Sequence, residues 1–148
     1  MSEDWSQREQ DARQRLAVLS FLVGDWVGEG TSGGQPLRGE LRASLRLDAT
    51  FLEVRETLRL PDGTLDHEDI CFYRYDNHNE QLRVLQMVAP AWTAERPVVP
   101  LEGGGLRWFD GPLGPQVSIV PEGDDVLVVT VRLPNAPAPL VQLRYRRA

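Results

Sequence analysis

Two histidines, His67 and His78, one cysteine, Cys71, and 22 acidic residues make up the chain's stock of reactive side chains. His67 and Asp69 stand two apart, a spacing that puts both on one face of a β-strand. There an imidazole and a carboxylate form either an acid–base pair in a cavity or an ordinary hydrogen-bonded strand pair. Glu53, Glu56, Glu68 and Asp69 fall in neighbouring runs and could bring carboxylates together, as glycoside hydrolysis requires. The Glu and Arg residues alternating around them read more simply as a solvated exterior.

Other chemistries are excluded by what is missing. All 16 basic residues are arginine, which removes Schiff-base chemistry and a phosphate-loop lysine. A single cysteine makes neither an internal disulfide nor a zinc site of the thiolate type. No serine stands in a Gly-x-Ser-x-Gly context, and neither EGGG at 102–105 nor DGPLGP at 110–115 opens a helix that would cradle phosphate. The net charge of −6 disfavours a generic grip on nucleic acid or anionic lipid. The polar, acidic start from Met1 to Gln14 has no apolar core of the secretory kind, and no run approaches the ~18 apolar residues of a membrane span. A soluble cytoplasmic protein without membrane insertion is the expectation.

The elements that must position these residues follow from periodicity. Apolar side chains at Trp5, Ala12, Leu16, Leu19 and Val23 share one face of a helix that Ser2 or Asp4 can cap and Gly24 ends. Its early part, SEDWSQREQDARQR, is free to fray. From Leu37 the period becomes two. Leu41, Ala43, Leu45 and Leu47 alternate with polar residues, as do Leu52, Val54, Leu58 and Leu60. Turn signals then recur, among them SGGQP at 32–36, PDG at 61–63, DNHNE at 76–80, PEGDD at 121–125 and PNAPAP at 134–139. With a first strand at 24–31 about ten strands result. One domain of 148 residues with short links between sequential strands predicts an all-β, antiparallel up-and-down barrel with a short N-terminal helix.

The turn at Pro61, Asp62 and Gly63 decides which way His67 points. A two-residue Asp62-Gly63 loop sets Leu58 opposite His67 and Val54 opposite Cys71, putting His67 on the apolar face. A three-residue loop with a bulge sets Glu56 opposite Glu68 and turns His67 outward. Opposed like charges are unfavourable, so the first register is preferred.

The triplet Gly24, Asp25 and Trp26, leaving a helix and opening a strand, resembles the signature of lipocalins and fatty-acid-binding proteins. In those folds the Trp plugs the closed end and an Arg of the last strand stacks over it. Arg144 and Arg146 are candidates for that partner. Gly28 and Gly30 continue on Trp26's face, leaving room for a bulky neighbour or a ligand, or marking a tight bend at a barrel corner.

Two motifs together resemble the nitrobindin-like family of ten-stranded barrels. The run Val23, Gly24, Asp25, Trp26, Val27, Gly28, Glu29, Gly30 stands against a Leu-Gly-x-Trp-x-Gly-x-Gly pattern. The run from His67 to Arg74 stands against His-x-Glu-x-Gly-aromatic-aromatic-Arg, with Asp69 in place of Glu and Cys71 in place of Gly. The resemblance implies a pocket-lining role for His67 and, in haem-holding members, a proximal His near the start of the last strand. This chain has Pro139, Leu140, Val141 and Gln142 there and no histidine after His78, so haem is not expected and no cofactor is assigned.

The expected function is a non-enzymatic barrel holding a small apolar or amphipathic molecule against Leu52, Val54, Leu58, His67, Asp69, Cys71 and Tyr73. Trp92, Trp108 and Phe109 either rim its mouth or pack in the core. Its rivals are an enzyme using His67 and Asp69 as an acid–base pair, and a barrel filled by its own side chains that works through its surface as a homodimer or interaction module.

Overall fold

The computed structural model describes residues 3–90, 92–109 and 114–148. The apolar helix face folds as α1 (Glu3–Leu16) and tightens into a 3-10 turn at Ala17–Leu22. Ten strands follow: β1 (Gly24–Ser32), β2 (Gln35–Arg46), β3 (Phe51–Arg59), β4 (Leu65–Asp76), β5 (Gln81–Val88), β6 (Trp92–Pro100), β7 (Leu106–Phe109), β8 (Gln116–Glu122), β9 (Val126–Arg132) and β10 (Val141–Arg147). Each pairs antiparallel with its sequence neighbours, and β10 pairs with β1 to close the barrel. No helix among the described residues is long and apolar enough to cross a membrane. The expected Ser2 cap, and residues 110–113 of the DGPLGP turn, lie outside the described residues.

Alternating turns divide the barrel into two ends. Helix α1 sits over the end that carries the β2–β3 and β4–β5 turns, where Arg13 Nη1 lies 3.2 Å from Asp48 Oδ2 and Asn77 Nδ2 donates to the Arg8 carbonyl at 3.3 Å. Leu16, Leu19, Leu22 and Trp26 are buried beneath it. Trp26 Nε1 donates to the Leu22 carbonyl at 2.9 Å, which satisfies the indole while its ring seals the end. The cation over that ring is Arg147, 4.2 Å from the centroid, and not Arg144 or Arg146. Strand parity explains the correction: Leu143 and Tyr145 are buried inside, so 147 shares their phase while 144 and 146 face out.

Three further expectations are corrected. Trp5 is 51% exposed and does not join the helix face. Leu45 and Leu47 are exposed, because β2 leaves the core after Ala43 and Leu47 enters a left-handed turn with φ of 50°. The β3–β4 connection is the three-residue loop, with Leu60 N bonded to the Thr64 carbonyl at 2.9 Å and Gly63 at φ 89°. Yet His67 faces inward. Arg59 pairs with Leu65 and Leu58 with His67, so Asp66 is an extra residue whose bulge restores the register that a two-residue loop would have set.

Candidate functional site

The barrel is not filled by its own side chains: a cavity of about 360 Å³ lies within it. Its rim includes Ser32, Asp66 and Trp92, at the ends of β1, β4 and β6, and Pro115 just before β8, all at the end away from α1. Val117, Ile119, Val129, Val131 and Leu143 supply an aliphatic wall from β8, β9 and β10. Glu56, His67, Asp69 and Gln86 supply a polar wall from β3, β4 and β5.

The polar wall is built by register. Glu56 on β3 is directly opposite Asp69 on β4, and both lie on the inward phase that Val54, Leu58 and Cys71 share. His67 Nε2 lies 3.3 Å from Asp69 Oδ2, and Gln86 Nε2 donates to the same oxygen at 2.8 Å. Tyr145 Oη donates to Glu56 Oε2 at 2.8 Å. Two carboxylates held together away from water cannot both keep a charge cheaply. Desolvation, then the nearby Asp69 charge, pushes the Glu56 carboxyl up to about 7. The hydrogen bond to Asp69 raises His67 above its ordinary value against the opposing effect of burial. Burial pushes the Cys71 thiol and the Tyr73 phenol far up, so both stay neutral; Tyr73 Oη accepts from Trp108 Nε1 at 3.3 Å.

One ligand atom each from Glu56, His67 and Asp69 falls within a span of 4.8 Å, a set of oxygen and imidazole donors that could take a divalent metal ion. The same three groups can hold and pass a proton, or accept hydrogen bonds from a ligand head group.

Of the residues singled out from the sequence, Val54, Leu58, His67, Asp69, Cys71 and Tyr73 line the cavity, whereas Leu52 is buried and does not border it. His67 is not the main polar group in an apolar wall but one of several. Glu53 and Glu68 face outward, Glu53 between Arg46 Nε at 2.8 Å and Arg55 Nε at 2.5 Å. Glu56 is the residue the exterior reading missed. Its signal is the alternation itself, since it occupies the inward phase between Val54 and Leu58. Trp92 is exposed at the rim, Trp108 is buried in the wall, and Phe109 is exposed and does not line the cavity.

Gly28 and Gly30 do not border the cavity. A methyl group at Gly28 would meet the Arg144 carbonyl first and then the Tyr145 ring, and one at Gly39, its partner on β2, would overlap Tyr145 Oη. The missing side chains let that ring lie flat across β1 and β2 and deliver its hydroxyl to Glu56 on β3. At Gly30 the backbone of β10 itself takes the space. The bulky neighbour is therefore Tyr145.

No family model matches the chain, and no curated protein matches it. Among solved structures it is similar to a de novo designed fluorescence-activating beta barrel, at 15% sequence identity and a TM-score of 0.48, over 87% of this chain and 95% of that one. The fold assignment rests on the strand pairing described above.

Proposed function

We propose that this chain is a non-enzymatic carrier that takes a small amphipathic molecule into the barrel, with the apolar body against β8–β10 and the polar head at Glu56, His67 and Asp69. The observation that carries this reading is that, within one cavity of about 360 Å³, Glu56, His67, Asp69 and Gln86 cluster on β3–β5 among apolar neighbours while β8–β10 contribute aliphatic side chains. Small-molecule sites generally combine such an apolar lining with a few placed polar groups. The resemblance of the His67–Arg74 run to the nitrobindin-like pattern supports a pocket-facing role for His67. Haem is not the ligand in this reading, because the start of β10 offers Leu140, Val141 and Gln142 where a proximal imidazole is needed.

Native mass spectrometry of the purified chain tests for a retained small molecule, and titration with a hydrophobic fluorescent probe tests the cavity. His67→Ala removes one polar partner and should weaken binding by roughly a few-fold to a hundred-fold while the fold persists. A folded His67→Ala protein with unchanged affinity for every probe that enters would overturn the placement of the head group.

A second reading is favoured by one observation. A carboxyl pushed up to about 7 beside His67 and Asp69 is a group suited to proton transfer near neutrality. If the barrel is an enzyme, Glu56→Gln abolishes turnover of a bound substrate without loss of its binding.

A further inference from the structure

Within that carrier reading, we infer that the head group is a protonated primary amine, so that the ligand is a hydrophobic alkylamine and not a fatty acid or an alcohol. The described residues around the cavity include three carboxylates, Glu56, Asp66 and Asp69, and no arginine. Arg96 shares the inward phase of β6 but lies over the Trp92 and Trp108 rings, at 5.4 and 5.9 Å, and does not border the cavity. A carboxylate head entering here would meet like charge, and the imidazole of His67, the cavity's one basic group among the described residues, is already engaged by Asp69 at 3.3 Å.

The spare hydrogen-bonding capacity has the same sign. Tyr145 occupies Glu56 Oε2, while Gln86 and His67 crowd Asp69 Oδ2. Among the described residues Glu56 Oε1 and Asp69 Oδ1 carry no hydrogen bond, and neither is sealed from solvent. The cavity thus presents two acceptors on directly opposed residues. An ammonium brings three donors and a charge, a hydroxyl one donor, and a carboxylate none.

The test uses the full chain and four probes of equal chain length, decylamine, decanol, decanoate and decyltrimethylammonium, each displacing a hydrophobic dye at pH 8 below its micelle concentration. Decylamine should bind about tenfold tighter than decanol and about a hundredfold tighter than decanoate. Glu56→Gln keeps an acceptor for Tyr145 and should shrink the preference for amine over alcohol. Asp69→Asn is a second route to the same loss should Glu56→Gln not fold. Equal binding of decylamine and decanol, or a preference for decanoate, overturns the inference and leaves the carrier standing. Equal binding of the trimethylammonium probe moves the head from the carboxylates to the aromatic rim and also overturns it. Failure of all four probes, with the dye itself excluded, removes the carrier reading on which the inference rests.

Discussion

Tyr145 and Glu56, 89 positions apart in the chain, meet inside the barrel at 2.8 Å with the phenol as donor. The contact spans four strands because the two that lie between β10 and β3 carry glycine where the ring must pass. The carboxyl that most shapes the cavity's electrostatics is therefore fixed in place by the last strand of the chain.

Gly39→Ala would force Tyr145 off this path, since the new methyl group would overlap its hydroxyl. Overpacking of this kind typically costs about 1–3 kcal/mol. Chemical denaturation should show that loss, and the freed Glu56 should titrate higher, because the bond from Tyr145 lowers its pKa. Tyr145→Phe separates the two effects: it removes the hydrogen bond without the clash, and by carboxyl-resolved NMR should raise the Glu56 pKa as well. An unmoved Glu56 titration in both variants would mean that the phenol does not govern it.

Trp26→Ala opens a void under the helix and should cost on the order of 3–5 kcal/mol. Arg147→Ala removes the cation over the ring at 4.2 Å and should cost less, about 0.5–2 kcal/mol, with Arg146→Ala near neutral. Equal melting temperatures for Arg146→Ala and Arg147→Ala would contradict the strand phase described for β10.

That phase marks how far the sequence could be read. The two-residue alternation survives along nearly every strand, so strand number, order and closure are legible from residues such as Leu52, Val54 and Leu58. What is not legible lies where local chemistry and register disagree. The Pro61–Gly63 loop has the form that turns His67 outward, but the Asp66 bulge downstream cancels the shift, and no residue type announces a bulge there. Glu56 sits among Glu53, Arg55 and Arg59, so its composition resembles a solvated face although its phase is inward. Arg144, Arg146 and Arg147 are chemically interchangeable, and only the burial of Leu143 and Tyr145 separates them. The path of Tyr145 over Gly28 and Gly39 needs the order of four strands in space before either glycine acquires a reason.

Haemin added to the purified chain should give no sharp Soret band of a ligated iron, because the start of β10 supplies no imidazole and the Cys71 thiol is kept protonated by burial. A stoichiometric complex with such a band would refute the haem-free carrier. His67→Ala on that complex would then show whether His67 had been recruited as the axial ligand.

The pH dependence of stability should be inverted relative to a barrel with an apolar interior. Glu56 has a native pKa of about 7 against an ordinary 4.5, so between those values the native state holds a proton that the unfolded chain has released. Stability must then fall as pH rises through that window. His67, also raised in the native state, contributes stability below its ordinary 6.5 and loses it as pH climbs through its native pKa, which is the same direction. Glu53 and Glu95, held down by paired arginines, and Asp76, held down by the Asn79 side chain, act oppositely but only at acid pH, where their protonation destabilises the fold. The exposed Glu95 pair contributes little. Maximum stability is therefore expected at the acid edge of that window, near about pH 4.5 to 5, with a decline through neutrality toward pH 8. Urea midpoints across pH 4–9 measure the curve, and Glu56→Gln should flatten its neutral limb while leaving the acid limb in place. A wild-type midpoint that rises from pH 5 to pH 8 would mean that Glu56 is ionised in the native barrel and that the opposed Asp69 does not hold its proton on.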